Sequence, residues 1–372
     1  MISFQMLVHN QARLIATVFA IAILFFLSAA QVGLLVGWCG TTSAIIRHAD
    51  ADIWVMAKQT PAFDYGTAIP RSRIYQVRTV PGVKWAEGMI IAWNTWQRPD
   101  GRRINIELIG LDTSCIGGPW DMVAGVVQQI HRPESVIVDE LFMEQLGVAA
   151  VGDECEMYGT HARVEGISRG IRTFTASPFV FTSLKSARRY DKRYSDAEVT
   201  YVLVRCGSGQ DPQAVRDAIR NAVPHVDVLT SSEFVVKTVS YWMLETGIGI
   251  TVVVTAILGL MVSVVITYQS LFAITNENLG NYATLFAIGF GRLKLVSIVV
   301  FQAMFLGVVG ISLGSILFFY VANLSRKTPI PLEMTPAVFF AIAVISLVNC
   351  FVASLVSMRS ILSIDPVTVF RA

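Results

Sequence analysis

Four stretches of the chain are apolar throughout and contain no Asp, Glu, Lys or Arg: residues 14–46, 246–276, 295–325 and 334–358. An α-helix rises about 1.5 Å per residue, so roughly 20 residues cross a hydrocarbon core that is about 30 Å thick. Each stretch exceeds this length. The pattern therefore predicts four transmembrane helices, at residues 14–40, 241–270, 293–322 and 336–358.

Most of the charged residues lie between the first two predicted spans, at residues 47–245, which indicates a folded domain over residues 41–240. Two β-rich runs, residues 89–97 and 102–111, flank Pro99-Asp100-Gly101 and predict a hairpin. Further strands are predicted over residues 135–138, 154–167, 198–205 and 226–229. The predicted fold class is an α-helical membrane protein with four transmembrane helices, plus an α+β extracytoplasmic (periplasmic) domain between the first two.

Helix start and stop signals add detail to this domain. Asp139 is expected to cap a helix that ends before Gly147. The pair Asp211-Pro212 predicts another helix, because proline suits the first helical position. Thr230 and Glu233 have capping-box spacing, so a helix is expected to start there and to run directly into the second span.

Basic residues set the expected orientation, because cytoplasmic segments of membrane proteins are enriched in Lys and Arg. With a cytoplasmic N-terminus, the short inner segments carry Arg13, Arg292, Lys294, Arg359 and Arg371, whereas the short outer loop carries only Arg326 and Lys327. Aromatic residues then mark the outer interface: Trp38, Tyr241, Trp242 and Tyr320. The predicted segments are an N-terminal cytoplasmic segment 1–13, a cytoplasmic loop 271–292, a periplasmic loop 323–335 and a cytoplasmic tail 359–372.

Two features near the N-terminus have alternative interpretations. Ser28-Ala29-Ala30 is a possible signal-peptide cleavage site, but the apolar stretch continues beyond it, so a retained anchor is expected. Residues 1–12 alternate between apolar and polar side chains. They fit either a short amphipathic helix on the inner membrane surface or a frayed terminus.

Composition agrees with a bilayer protein. Hydrophobic residues make up 53% and charged residues 15%, against about 25% charged in soluble domains. The apolar spans predict membrane lipids as surroundings, and the sequence contains no basic tract that would suggest nucleic acid. Cys115, Cys155 and Cys206 lie in the predicted domain, and either one disulfide among them or reduced thiols is compatible with the spacing.

Several kinds of chemistry have no pattern in the sequence. It contains no GxxxxGK[ST] phosphate loop, no G-x-S-x-G elbow and no histidines at metal-ligand spacing. No catalytic, cofactor-binding or metal residue is predicted, and the chain is not expected to be an enzyme. The middle of each span also lacks the ionisable group that ion-driven carriers need. Energy is therefore expected from a partner protein.

Small residues recur in the second and third spans at spacings that allow close helix packing: Gly259, Gly307, Gly310 and Gly314. They fit packing within the chain or a dimer contact. Between these spans, residues 275–290 begin with polar side chains and then place Tyr282, Leu285 and Phe286 at helical spacing. An amphipathic helix of this kind suits a groove on a soluble partner, and the alternative is a helix lying on lipid.

Three stretches resemble a known family. They are Leu7-Val8-His9-Asn10 with Arg13, before a span that ends Gln31-Val32-Gly33-Leu34; Asn281-Tyr282-Ala283-Thr284-Leu285-Phe286-Ala287-Ile288-Gly289-Phe290; and Ile364-Asp365-Pro366-Val367-Thr368-Val369-Phe370-Arg371. With one span, a large domain and three further spans, the chain resembles the type VII ABC exporter superfamily of MacB, LolCE and FtsX. Within it, the DevC-type permease subunits are the most similar, over essentially the whole chain.

This resemblance implies a separate ABC ATPase subunit that drives a permease homodimer. The segment between the second and third spans would couple to it through Asn276, Glu277, Asn281, Tyr282, Ala283, Thr284, Leu285, Phe286 and Gly289. Family members usually carry a charged residue before Tyr-Ala-Thr-Leu and Lys after it; here these places hold Asn281 and Phe286.

The resemblance further implies export of a lipid, glycolipid or other amphiphile by mechanotransmission, in a tripartite complex in the bacterial inner membrane. Its other members would be a periplasmic membrane-fusion adaptor and a TolC-like outer-membrane channel. Two alternatives stay open. One is an FtsX-like regulator that activates a periplasmic cell-wall hydrolase, and the other is a membrane-anchored sensor or enzyme.

Overall fold

The computed structural model describes residues 11–175, 177–329 and 331–357. The helices are α1 Gln11–Thr42, α2 Ala44–His48, α3 Ser72–Arg78, α4 Met143–Leu146, α5 Leu184–Tyr190, α6 Pro212–Ala222, α7 Ser231–Ser240, α8 Ile248–Glu277, α9 Leu279–Ala287, α10 Arg292–Ser325 and α11 Pro336–Ser357. The strands are β1 Ile53–Ala57, β2 Ile69–Pro70, β3 Val83–Gln97, β4 Arg103–Leu111, β5 Met122–Ala124, β6 Ser135–Asp139, β7 Glu154–Met157, β8 Thr160–Ser168, β9 Phe179–Ser183, β10 Glu198–Val199, β11 Tyr201–Cys206 and β12 Val226–Thr230.

The chain forms two compact units. The sheet unit comprises Trp38–Gly249 with Lys327–Ile330, and the helical unit contains the remaining residues. Among the residues that the structure describes, four helical segments are able to cross a membrane by length and composition: Leu14–Thr42, Ile248–Glu277, Arg292–Ser325 and Pro336–Val356. Residues 1–10 and 358–372, which include the predicted amphipathic segment and the C-terminal motif, lie outside the described residues.

A ten-stranded mixed sheet runs through the described part of the sheet unit, in the order β12-β1-β11-β3-β4-β9-β6-β8-β5, while β7 pairs with β3 and β8. β4 pairs with β9, and β6 with β8, in parallel; the other pairs of this order are antiparallel. The predicted hairpin is confirmed, since Gln97 lies opposite Arg103 where β3 turns into β4.

Both faces of this sheet are buried. Alternate residues of a strand point to opposite faces and therefore enter two different cores. Ile53 and Val55 of β1 join one core, and Trp54 and Met56 join the other. The first core is covered by α3, α5 and α6, and the second by α2 and α7. The strands therefore form the middle layer of an α/β domain.

The capping box predicted at the start of α7 is confirmed. The Thr230 hydroxyl accepts from the Glu233 amide at 3.3 Å, and the Glu233 carboxylate accepts from the Thr230 amide at 2.8 Å. Asp139 and Asp211 likewise accept backbone amides as N-caps, and Gly147 adopts φ +70° where α4 ends.

The expected continuous helix from Thr230 into the second span is wrong. Helix α7 ends at Ser240, a π-helical turn covers Tyr241–Glu245, and α8 begins only at Ile248. Gly247 separates them with φ +76°, a left-handed conformation that glycine adopts without steric cost and that ends an α-helix. The membrane-length helix α8 consequently begins at residue 248.

Helices α1, α10 and α11 form most of the core of the helical unit. One cluster includes Val18 of α1, Leu306 of α10 and Ala353 of α11, and a second centres on Phe25 and Phe318. Helix α8 reaches the first cluster near its C-terminal end, through Leu271 and Ile274.

Candidate functional site

The predicted coupling helix is present as α9, on the connection between α8 and α10. Tyr282 is its anchor, because the ring is completely buried against Leu295 and Val299 of α10. Its hydroxyl donates to the Gln302 side-chain oxygen at 2.9 Å. The expectation that Tyr282 lies on an exposed docking face is therefore wrong. Ala283, another of the predicted coupling residues, is also buried. Tyr282 holds α9 against α10.

The exposed side of this connection consists of other residues. Asn281 and Thr284 face outward, and Leu285 and Phe286 are half-buried. Two large apolar side chains project farthest, Ile288 at 72% and Leu293 at 84% exposure. We define Asn281, Thr284, Leu285, Phe286, Ile288 and Leu293 as the α9 surface.

Positive charge borders the α9 surface. The Arg292 guanidinium lies 5.8 Å from the centre of the Phe286 ring, and the Lys294 ammonium lies 5.9 Å from that of Phe290. The aromatic ring at 286 thus contacts a cation of this chain. Three further residues of the predicted coupling segment are exposed: Asn276 and Glu277 at the end of α8, and Gly289, which has φ +101°.

The predicted packing glycines lie where helices approach one another. A Cβ on Gly310 would lie 2.7 Å from Ile21, and one on Gly314 would lie 2.5 Å from the Ala22 carbonyl oxygen, both on α1. A Cβ on Gly307 would lie 3.2 Å from Cys350 of α11, and one on Gly259 would lie 2.9 Å from Gln31. These four residues have neighbours within the same chain.

An aromatic cluster closes the end of the sheet unit where the chain joins its spans. Phe174 contacts Trp38 near the end of α1, with ring centres 5.6 Å apart, and Trp242 of the π-helical turn, at 4.5 Å. The Trp242 indole donates to the Asp64 carboxylate at 3.0 Å. This cluster ties both connections of the sheet unit to one loop.

Behind this cluster lie two buried carboxyl groups, Asp64 and Glu107. The Thr175 hydroxyl donates to one Glu107 oxygen at 2.8 Å, and the other oxygen has no hydrogen-bond partner among the described residues. Burial raises the pKa of Asp64 to about 6. Burial and the neighbouring Asp64 charge raise the pKa of Glu107 well above its usual range. A proton on one carboxyl can be donated to the other, so the pair is most stable with a proton bound.

Residues that could bind a metal ion or form a disulfide are not grouped together in the described part of the chain. Within residues 11–175, 177–329 and 331–357, no group of three His, Cys, Asp or Glu side chains is placed to hold a metal ion. Cys115, Cys155 and Cys206 are all free thiols. Sequence patterns did not predict that Ile288 and Leu293 are exposed or that Asp64 and Glu107 form a pair. Ile288 and Leu293 are apolar residues next to membrane-length helices, so the sequence does not distinguish them from residues that face lipid. Asp64 and Glu107 are far apart along the chain.

Two family models match the chain. One described as the MacB-like periplasmic core domain matches residues 14–222, more than half of the chain, and one described as the FtsX-like permease C-terminal matches residues 253–366. No curated protein matches the sequence.

Solved structures similar to the chain include two domains. The periplasmic region of MacB from Actinobacillus actinomycetemcomitans has 8% identity and a TM-score of 0.39, covering 50% of this chain and 92% of that one. The extracellular domain of the noncanonic ABC-type transporter YknZ from Gram-positive bacteria has 11% identity and a TM-score of 0.37, covering 48% and 98%. The first match covers most of the sheet unit and the second covers most of the three later membrane-length helices. The chain therefore belongs to the MacB/FtsX-like family of type VII ABC permeases, multi-pass membrane proteins with an extracellular domain.

Proposed function

We propose that this chain relays the motion of a separate ABC ATPase to its own sheet unit. The α9 surface carries this proposal, because Ile288 and Leu293 expose large apolar side chains beside Arg292 and Lys294. Apolar knobs with a polar rim suit a groove on a soluble partner. Tyr282 supports the same role from inside, since it fixes α9 to α10 so that a push on one moves the other.

Family membership supports a proposal for the wider assembly. We propose a homodimer that sits on two ATPase subunits in the bacterial inner membrane, with cytoplasmic termini and a periplasmic sheet unit. The cargo would be a lipid, glycolipid or other amphiphile, passed to a membrane-fusion adaptor and a TolC-like channel as in the DevC type. The spans support this route, because their middle sections carry no charged residue to guide a polar solute.

Replacing both exposed apolar residues of the α9 surface tests the relay. The double variant Ile288→Asp, Leu293→Asp is expected to fold, because both side chains are largely exposed. It should lose association with the ATPase by more than about tenfold, since two charges would enter an apolar interface. The complex is isolated from native membranes through a tag on this chain, and its ATP hydrolysis is measured.

The control is Val236→Asp, which places the same charge on a residue of α7 that is 65% exposed. It should leave association and ATP hydrolysis unchanged. If the double variant retains the ATPase and its rate, the α9 surface is not the docking site. Companion proteins decide the wider role: a membrane-fusion adaptor supports export, and a peptidoglycan hydrolase supports the FtsX-like alternative.

A further inference from the structure

A cavity of about 450 Å³ lies in the sheet unit, at the edge where the parallel strands β4 and β9 end. Leu111 and Ser183, the last residues of these strands, lie opposite each other and both line it. In α/β sheets, ligands bind outside the carboxyl ends of parallel strands, and a volume of this size suits a small molecule. The location and size are thus those of a ligand site.

Positive charge exceeds negative charge around this cavity. Arg71 lies directly before α3, and Lys185, Arg188 and Arg189 lie on α5. The acidic residues that line it are Asp112 and Asp196. Asp112 is engaged elsewhere, because its carboxylate accepts the Thr113 amide at 2.9 Å and the Gly88 amide at 3.4 Å. The cavity therefore offers its cations to an anion from outside.

Arg71 and Arg188 are partly buried cations of this cavity. Neither has a carboxylate within 4.0 Å among the described residues, and the Nε atom of each is buried without a hydrogen bond. Arg188 donates through Nη2 to the Glu198 carbonyl oxygen at 2.8 Å, and the more distant Asp196 and Asp112 offset only part of its charge. Burial, and then the charge of Arg71, lower the pKa of Arg188. Two like charges held together in this way are unfavourable until an anion joins them.

We propose that this cavity binds the phosphate group of a small molecule between Arg71 and Arg188. A guanidinium presents a planar fork of donors that matches phosphate oxygens, and phosphate carries enough charge to offset two arginines. The hydroxyls of Ser183 and Ser186 line the same cavity and can complete the oxygen shell. The site is independent of the α9 surface, so the proposal goes beyond the relay of ATPase motion.

Two sources of the phosphate group have to be distinguished. The full-length chain is placed in nanodiscs of phosphatidylcholine, and binding of inorganic phosphate and of glycerol 3-phosphate is measured by calorimetry. In a second arm, the nanodiscs contain phosphatidic acid, and lipid retained by the protein is detected by native mass spectrometry. Binding in the first arm identifies a soluble phosphate compound, and retention only in the second identifies a phosphorylated lipid headgroup.

Arg188→Gln should weaken binding of the phosphate probe by about 10- to 100-fold, as expected for loss of a charged hydrogen-bond donor. Arg102→Gln serves as the control, because that arginine is exposed on the β3–β4 turn, away from the cavity. It should bind like the wild type.

Thermal unfolding separates a ligand site from a merely structural role. Without phosphate, Arg71→Gln should unfold at a higher temperature than the wild type, because it removes the repulsion of Arg188. With phosphate, the wild type should gain stability and Arg71→Gln should not. No binding in either arm, or binding that both cavity variants retain at wild-type strength, would overturn the proposal.

Discussion

Like-charged pairs distinguish the two units of this permease. In the helical unit the examples are neutral and satisfied: the buried Tyr282 hydroxyl donates to Gln302, and the half-buried Ser315 hydroxyl donates to the Ile311 carbonyl oxygen of its own helix. In the sheet unit, the buried Asp64 lies beside Glu107, and the half-buried Arg71 lies near Arg188. Removing a satisfied group costs stability, whereas neutralising one member of a like-charged pair gains it. Sensitivity to protons and anions thus belongs to the sheet unit, and close packing to the helical unit.

The largest expected effect tests packing in the helical unit. Gly314→Val would bring a side chain within 2.5 Å of the Ala22 carbonyl oxygen, so α1 and α10 would have to move apart. We expect a loss of about 3 kcal/mol, at the upper end for overpacked cores. Thermal unfolding of the detergent-solubilised chain measures it. Ser312→Val, at an exposed position of the same helix, should cost little; equal stability of both variants would show that this contact is loose.

A smaller effect of opposite sign is expected in the sheet unit. Because the folded-state pKa values of Asp64 and Glu107 are raised, their contribution to stability is complete below about pH 4 and is lost as pH rises. The loss extends to about pH 6 for Asp64, and Glu107 carries it higher. Glu107→Gln should therefore match the wild type in stability at pH 4 and be more stable than the wild type at pH 8.

Unfolding curves of the full-length chain across this pH range provide the measurement for Glu107→Gln. The exposed Glu144→Gln is the matched control, and its stability should follow that of the wild type at every pH. If Glu107→Gln is destabilising at pH 8, the carboxyl pair is compensated by a group that the structure does not place there, and the contrast between the two units fails.

The smallest expected effect returns to the helical unit. Tyr282→Phe removes the hydroxyl that bonds Gln302 and should cost about 1 kcal/mol, the usual net value of a buried hydrogen bond. Tyr320→Phe, at a residue that is 65% exposed, should cost nothing measurable in the same unfolding assay. A gain on Tyr282→Phe would mean that buried polar groups of the helical unit are as unfavourable as those of the sheet unit.

The sequence predicted the elements that carry a local signal. Long uncharged windows indicated the spans, Pro99-Asp100-Gly101 the hairpin, and Thr230 with Glu233 a helix cap. Strands β1 and β9 were missed because their side chains are buried on both faces, which leaves no alternation of apolar and polar residues. The break at Gly247 was missed because a single glycine near an apolar run does not show whether its backbone turns left-handed.

The candidate site was predicted less well, because exposure depends on what the rest of the chain covers. Helical spacing placed Tyr282 and Leu285 near each other on α9, but it could not show that this side faces α10. For Ile288 and Leu293 the opposite holds: the spacing could not show that the rest of the described chain leaves these side chains exposed. Asp64 with Glu107, and Arg71 with Arg188, meet only through the sheet topology, so no spacing along the chain reveals them.

The aromatic cluster of Trp38, Phe174 and Trp242 has a mechanical consequence. Trp38 is the first residue of the sheet unit, Trp242 lies seven residues before the end of its long segment at Gly249, and both rings contact the same Phe174. A displacement of the chain at Trp38 is therefore passed through the Phe174 ring to Trp242, and the reverse also holds. Gly247 follows this cluster with φ +76°, so the rigid helical path stops there and is not continuous with α8.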